Sequence, residues 1–158
     1  MARQRNELHI KQVEIWKKKN SGLSDKELPQ LYINGILAVR RRSLITLSKV
    51  TVTAVVERIL IECQERFPIL SEIKNDSEDL HFNKFYDQIM DSKPNDVQEA
   101  LQELLLELLE VFGRITAEIL TKNLHQELMT VTNQTSPKDL EPQAALSLGL
   151  ARKNRDQK

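Results

Sequence analysis

Glycine and proline are missing from two long stretches of the chain. Neither occurs in the 32 residues between Gly35 and Pro68, and Gly113 alone interrupts the stretch between Pro94 and Pro137. A β-hairpin inside either stretch would lack the residues that tight turns usually require. The sequence therefore predicts an all-α fold, a helical bundle of four to five helices dominated by two long helices over roughly residues 36–66 and 95–131.

The length of 158 residues and a hydrophobic content of 40% are typical of one packed domain. We expect a single helical domain over residues 1–131. From residue 132 onward the helical pattern stops and polar residues, Pro137 and Pro142 follow, which predicts a flexible, disordered tail over residues 132–158. Residues 144–150 of that tail are mostly apolar and are predicted to be a short docking segment.

The first predicted long helix contains a cluster of β-branched residues between positions 43 and 61. Val, Ile and Thr lower helix propensity, yet the apolar positions recur at spacings of three and four, as a helical face requires. Further apolar residues extend around the helix, so we expect it at the buried centre of the bundle or of an oligomer. Cys63 is expected to be a buried thiol.

The second predicted long helix has the clearest periodic pattern. It starts after Pro94 with acidic residues in its first turns, as the helix dipole favours. Shorter helices are predicted over residues 3–19, after Ser24, and near residues 82–90. The inward stripe of the long helix is predicted to consist of Val97, Leu101, Leu104, Leu105, Leu108, Phe112, Ile115 and Ile119, with Leu120 as a further candidate.

The charges of the chain balance in total but not in distribution. Lys and Arg number 23, as do Asp and Glu, yet residues 1–66 carry 13 basic and 7 acidic side chains and residues 67–131 carry 5 and 13. The total disfavours a uniformly basic nucleic-acid binder. The opposite halves predict complementary contacts within the chain or between subunits, and we expect a homodimer that pairs through the long helices.

Motifs of the common enzyme classes are missing from the sequence. It contains no Gly-rich phosphate loop, no GxSxG elbow and no HExxH pair, and its single cysteine cannot form a Cys-based metal site. We therefore expect no enzyme activity, no cofactor and no metal. The charged N-terminal residues and the lack of a long apolar run predict a cytoplasmic protein with no membrane partner.

One histidine supports an alternative hypothesis. His125 follows Leu124 in the predicted second long helix, and an exposed helical histidine near carboxylates can accept a phosphoryl group in helical phosphotransfer proteins. A histidine phosphotransfer-type signalling function is therefore an alternative to protein binding. The next residue is Gln126, whereas an acid usually follows the histidine in histidine-kinase helices.

Two charged clusters and one aromatic cluster are candidate partner-binding sites. The basic cluster consists of Arg40, Arg41 and Arg42, whose alternative role is nucleic-acid binding through phosphate contacts. The acidic row, at spacings of four, four and three, consists of Glu99, Glu103, Glu107 and Glu110. The aromatic residues are Phe82, Phe85 and Tyr86, which either pack in the core or line a groove for a partner.

These patterns favour a non-catalytic protein-interaction or regulatory (adaptor) module. It would self-associate through its long helices and bind a protein partner that the sequence does not identify. Phosphotransfer through His125 and nucleic-acid binding through the basic cluster stay as alternative hypotheses.

Overall fold

Six α-helices make up most of residues 7–134, which are the residues that the computed structural model describes. They are α1 Glu7–Lys19, α2 Leu28–Thr46, α3 Lys49–Arg66, α4 Asn83–Ile89, α5 Pro94–Ile115 and α6 Thr121–Met129. A 3-10 helix, Pro68–Glu72, and a small antiparallel hairpin, β1 Lys74–Asn75 and β2 Leu80–His81, lie between α3 and α4. The prediction of a mostly helical chain is confirmed. The predicted docking segment at residues 144–150 lies outside the described residues.

The first predicted long helix is divided into α2 and α3. Leu47 is in an extended conformation, and Ser48 caps the new helix because its hydroxyl oxygen accepts a hydrogen bond of 3.1 Å from the backbone N–H of Thr51. A serine that bonds to the backbone in this way stabilises a helix start in place of continuation. The chain therefore changes direction between residues 46 and 49, and the expectation of one helix over residues 36–66 is wrong.

The second predicted long helix is also divided, into α5 and α6. Ala117 and Glu118 have positive φ angles of 53° and 68°, which a continuous right-handed helix does not allow. The hydroxyl of Thr116 donates to the carbonyl of Phe112 and accepts from the N–H of Leu120, so it stabilises the turn. Gly113 lies close to the Thr121 hydroxyl, where a side chain at position 113 would collide. Ile115 and Ile119, which were predicted to be part of the buried stripe, are exposed. Leu120, on the other side of the break, is buried.

The central helix of the fold is α2, because every residue from position 31 to position 40 is buried. It packs against α5 and α6, and α1 packs against the same two helices. At Gly35, α2 comes so close to Trp16 and Leu128 that a methyl group there would lie 2.8 Å from the indole ring. The Trp16 indole N–H donates to the carbonyl of Val131 at 3.0 Å. These contacts bring α1, α2 and α6 together around one tryptophan.

The buried face of α5 packs against α2 and supplies much of the core. Its leucines recur at helical spacing, and each buried leucine contributes roughly 1.5–3 kcal/mol through removal of apolar area from water. The fully buried residues of this face include Leu101, Leu105, Leu108 and Phe112. The burial expected for Cys63 is confirmed, since its thiol lies on the inner face of α3.

Candidate functional site

The arginines of the predicted basic cluster do not share one exposed surface. Arg40 is 1% exposed, and its guanidinium lies 3.6 Å from the carboxylate of Asp79 and 3.5 Å from the carbonyl oxygens of Asp76 and Ser77. Arg41 donates to the Asp79 carboxylate at 2.7 Å, and Arg42 is partly buried. Burial lowers the pKa of Arg40, an effect that Asp79 opposes. Two of the three predicted arginines therefore hold the hairpin against α2.

The hairpin turn is itself ordered by a carboxylate. Asp76 accepts hydrogen bonds from the backbone N–H groups of Glu78 and Asp79, at 2.8 and 3.0 Å, and its second oxygen lies 2.9 Å from His81. These backbone hydrogen bonds, which stabilise the ionised form, lower the pKa of Asp76. The loop that receives Arg40 and Arg41 is thus held by short-range contacts of its own.

The predicted acidic row is divided between surface and interior. Glu99 is exposed, whereas Glu107 and Glu110 are buried. Glu103 accepts from Arg66 at 2.9 Å, which joins α5 to α3. The basic first half and the acidic second half of the chain therefore contact each other within one subunit, through pairs such as this one and Arg41 with Asp79.

The predicted aromatic cluster is mostly part of the core. Phe82 and Phe85 are buried and pack edge to face, with ring centroids 5.9 Å apart. Tyr86 is 38% exposed, and its hydroxyl donates to the side-chain oxygen of Gln30 at 3.0 Å. Of the three, Tyr86 alone reaches the surface, where it joins α4 to α2.

His125 forms a contact with a second histidine that the sequence pattern did not indicate. Its Nε2 lies 2.9 Å from Nδ1 of His9, so one ring nitrogen carries the shared proton and the other accepts it. His9 is fully buried on α1, and its other nitrogen lies 3.9 Å from Glu110, which is bound to Arg114 at 3.0 Å. Burial, with the nearby His9, lowers the pKa of His125 to about 4.

A surface pocket of about 490 Å³ lies beside this histidine pair. Side chains of α1 and α6 line it, among them Leu8, Gln12, Lys122 and Met129. Phosphoryl transfer to Nε2 of His125 would require this nitrogen to leave His9, because the two rings are in direct contact there. The arrangement is typical of a buried polar contact that joins two helices.

The outer face of α3 is an exposed apolar surface that the sequence pattern does not reveal. Val50 is 79% exposed and Ile61 52% exposed, and between them Ala54 is also exposed. A shallow groove of about 700 Å³ follows this face and is lined by Ala54, Val55, Glu57, Arg58, Ile61 and Glu62. The signal in the sequence was the spacing of residues 50, 54 and 61, which is shared by one helical face. The same segment also carries the core-facing residues of α3, so its apolar content predicts a helix that is buried on most sides.

Comparison with protein-family models, curated proteins and solved structures gave no match. Within residues 7–134, no group of three or more His, Cys, Asp or Glu side chains is arranged to hold a metal ion. In the same part of the chain, no helix has both the length and the apolar character needed to cross a membrane.

Proposed function

We propose that this chain is a non-catalytic protein-interaction module. It contacts its partners, including a second copy of itself, through the outer face of α3, defined as residues 50, 54, 57, 58, 61 and 65. The observation that carries this proposal is the high exposure of Val50 and Ile61 on a helix whose opposite face is part of the core. With Ala54 between them, these side chains expose apolar area along one helix face that charged residues flank, and this accessible area supports a binding surface.

The placement of the polar residues supports a binding role over a catalytic one. Several side chains with catalytic or anion-binding chemistry contact one another inside the subunit: Arg41 binds Asp79, Glu103 binds Arg66, and His125 contacts His9. Residues used in this way hold helices and the hairpin in position. The α3 face, in contrast, has no structural reason to be apolar in an isolated subunit.

The alternative functions receive less support from the geometry. Nucleic-acid binding through the basic cluster would use Arg40, whose guanidinium is buried against the hairpin. Phosphotransfer would use a histidine whose Nε2 already contacts His9. In both alternatives the residue that would act is already in contact with another part of the subunit, whereas the apolar residues of the α3 face are exposed.

The experiment that tests the proposed function compares native complexes in an extract of the source cell. The tagged wild-type chain should elute in gel filtration above the size of an 18.3 kDa monomer. A double variant with Val50→Glu and Ile61→Glu should elute as a monomer, because the contact would have to bury two unpaired carboxylates. The matched control carries Ile15→Glu and Met90→Glu, at exposed positions on α1 and after α4, and should elute like the wild type. Identical elution of all three proteins would contradict the proposal.

A further inference from the structure

Helix α1 is attached to the fold by an apolar contact and a histidine contact on the same face. Its buried side chains are His9, Val13 and Trp16. Trp16 packs edge to face on Tyr32 of α2, with ring centroids 5.9 Å apart. His9 lies about two helical turns earlier and contacts His125 of α6. One of the attachment points of α1 is therefore a pair of titratable rings.

The contact between the two rings depends on their protonation. Nδ1 of His9 and Nε2 of His125 are 2.9 Å apart, so one nitrogen donates a proton and the other accepts it. A neutral imidazole has one N–H and one acceptor nitrogen, whereas an imidazolium has an N–H on both nitrogens. When both rings are protonated, two N–H groups and two positive charges face each other. The doubly protonated pair therefore cannot keep this contact.

The side that faces α5 favours a first proton on His9. Oε1 of Glu110 lies 3.9 Å from Nε2 of His9, and the other carboxylate oxygen of Glu110 accepts from Arg114 at 3.0 Å. A nearby carboxylate stabilises an imidazolium, an effect that the arginine reduces. With one proton added, Nε2 of His125 still accepts from Nδ1 of His9. The first proton thus leaves the contact in place.

The side that faces α6 opposes a second proton. Burial and then His9 lower the pKa of His125 to about 4, while Glu118 opposes this shift. Lys122, which lines the adjacent pocket, adds positive charge on the same side. The second proton takes the nitrogen that accepts from His9, and so it removes the hydrogen bond as well as adding like charge.

We propose that the His9–His125 contact is a pH-dependent latch, which releases α1 from α5 and α6 when both rings are protonated and leaves the remaining helices folded. The core of α2, α3 and α5 supports this outcome, because α5 packs against both other helices without using the latch. The latch does not involve the outer face of α3, so this inference is independent of the proposed function.

Release of α1 would uncover an apolar surface. The Trp16 ring covers Tyr32 and lies so close to Gly35 that a methyl group at position 35 would be 2.8 Å from it. Leu128 of α6 lies beside the same position. The released state therefore presents an apolar groove at Gly35 that the closed state fills with its own tryptophan.

Trp16 reports the position of α1, because it is the single tryptophan of the sequence. In the full-length purified protein, its emission maximum should move to longer wavelength as the pH is lowered from about 6.5 to about 4. Quenching of its emission by acrylamide should increase over the same range. Far-UV circular dichroism, recorded on the same samples, should lose at most the contribution of the one helix α1.

A single substitution tests whether the histidine pair causes the release. Glutamine does not titrate, and in His125→Gln its side-chain oxygen can accept from His9 at any pH. Trp16 should then stay buried to a pH about one unit lower than in the wild type, or lower still. Gln126→Asn, at the exposed neighbouring position on α6, is the matched control and should release α1 as the wild type does. Circular dichroism at pH 7 checks that each variant is folded.

The wild type alone can overturn the inference, even if His125→Gln does not fold. Emission and ellipticity that change together in one transition would show that acid unfolds the whole chain. Emission that stays constant until the ellipticity is lost would have the same meaning. If His125→Gln folds and its release occurs at the wild-type pH, carboxylates such as Glu110 would be the cause, and the latch would be wrong.

Discussion

Nδ1 of His9 lies 2.9 Å from Nε2 of His125, and this contact between residues 116 positions apart joins α1 to α6. α1 carries His9 on the same buried face as Val13 and Trp16, and α6 carries His125 beside the pocket. The pair therefore belongs to the interface that holds α1 on the rest of the fold. Its protonation should affect stability.

The free energy of unfolding should fall as the pH is lowered from about 6.5 to about 4. The pKa of His125 is lowered to about 4, first by burial and then by His9, while Glu118 opposes the shift. A histidine in the unfolded chain has a pKa of about 6.5, so between these values the unfolded chain binds a proton that the folded chain does not. Stability is therefore complete above about pH 6.5 and declines toward pH 4. The decline should be roughly 1–2 kcal/mol, since water screens the partly exposed ring.

Urea denaturation at a series of pH values measures this decline. His125→Gln should reduce the slope between pH 6.5 and 4, because glutamine keeps a polar contact for His9 but does not titrate. The other charged groups near the pair, Glu110 with Arg114 on α5 and Lys122 on α6, are unchanged in this variant. Gln126→Asn, at the exposed neighbouring position on α6, is the matched control and should keep the wild-type slope. An unchanged slope in His125→Gln would show that His125 does not cause the pH dependence.

Gly35 should not tolerate a methyl group, although alanine is the better helix former. The added carbon would lie 2.8 Å from Cη2 of Trp16 and 3.0 Å from Cδ1 of Leu128. We expect Gly35→Ala to destabilise the fold by about 1–3 kcal/mol, which exceeds the gain in helix propensity. Trp16→Phe removes the part of the ring that collides, so Gly35→Ala should cost less in that background. An equal cost in both backgrounds, measured by urea denaturation, would contradict the predicted collision.

Part of this fold follows directly from the sequence. The absence of Gly and Pro and the spacing of the leucines in α5 were sufficient to predict helices and most of the buried stripe. The positions of glycine and proline do not predict the two helix breaks. At the first break a serine side chain caps the start of α3, and at the second a threonine hydroxyl stabilises a turn with two positive φ angles. Ser48 and Thr116 are common residue types inside helices, and their backbone contacts depend on how the neighbouring helices pack.

The site residues were harder to predict than the helices. The sequence predicts Arg40 as a surface cation because its partner, Asp79, follows 39 positions later. The hairpin that carries Asp79 has no strand pattern in the sequence. His9 and His125 were far apart in sequence and shared no motif. Long-range pairs of this kind arise from the tertiary arrangement, which periodicity within one helix does not report.

The ion pair at the hairpin should stabilise the fold measurably. Asp79 accepts from Arg41 at 2.7 Å and lies 3.6 Å from the buried Arg40, so Asp79→Asn leaves a buried guanidinium without its carboxylate. We expect a loss of about 1–3 kcal/mol in the free energy of unfolding. Asp87→Asn, at an exposed position on α4, should change stability by less than about 0.5 kcal/mol. Equal stabilities of the two variants would contradict the structural role assigned to Asp79.

The most direct test of α3 as the binding surface is cross-linking from a cysteine placed on that face. An Ile61→Cys variant, treated in a native extract with a short thiol-reactive cross-linker, should give a covalent product larger than the 18.3 kDa chain. Ile15→Cys, at an exposed position on α1, is the matched control and should give little product. The native Cys63 is buried and gives little background. No product from Ile61→Cys, or equal products from both variants, would contradict α3 as the binding surface.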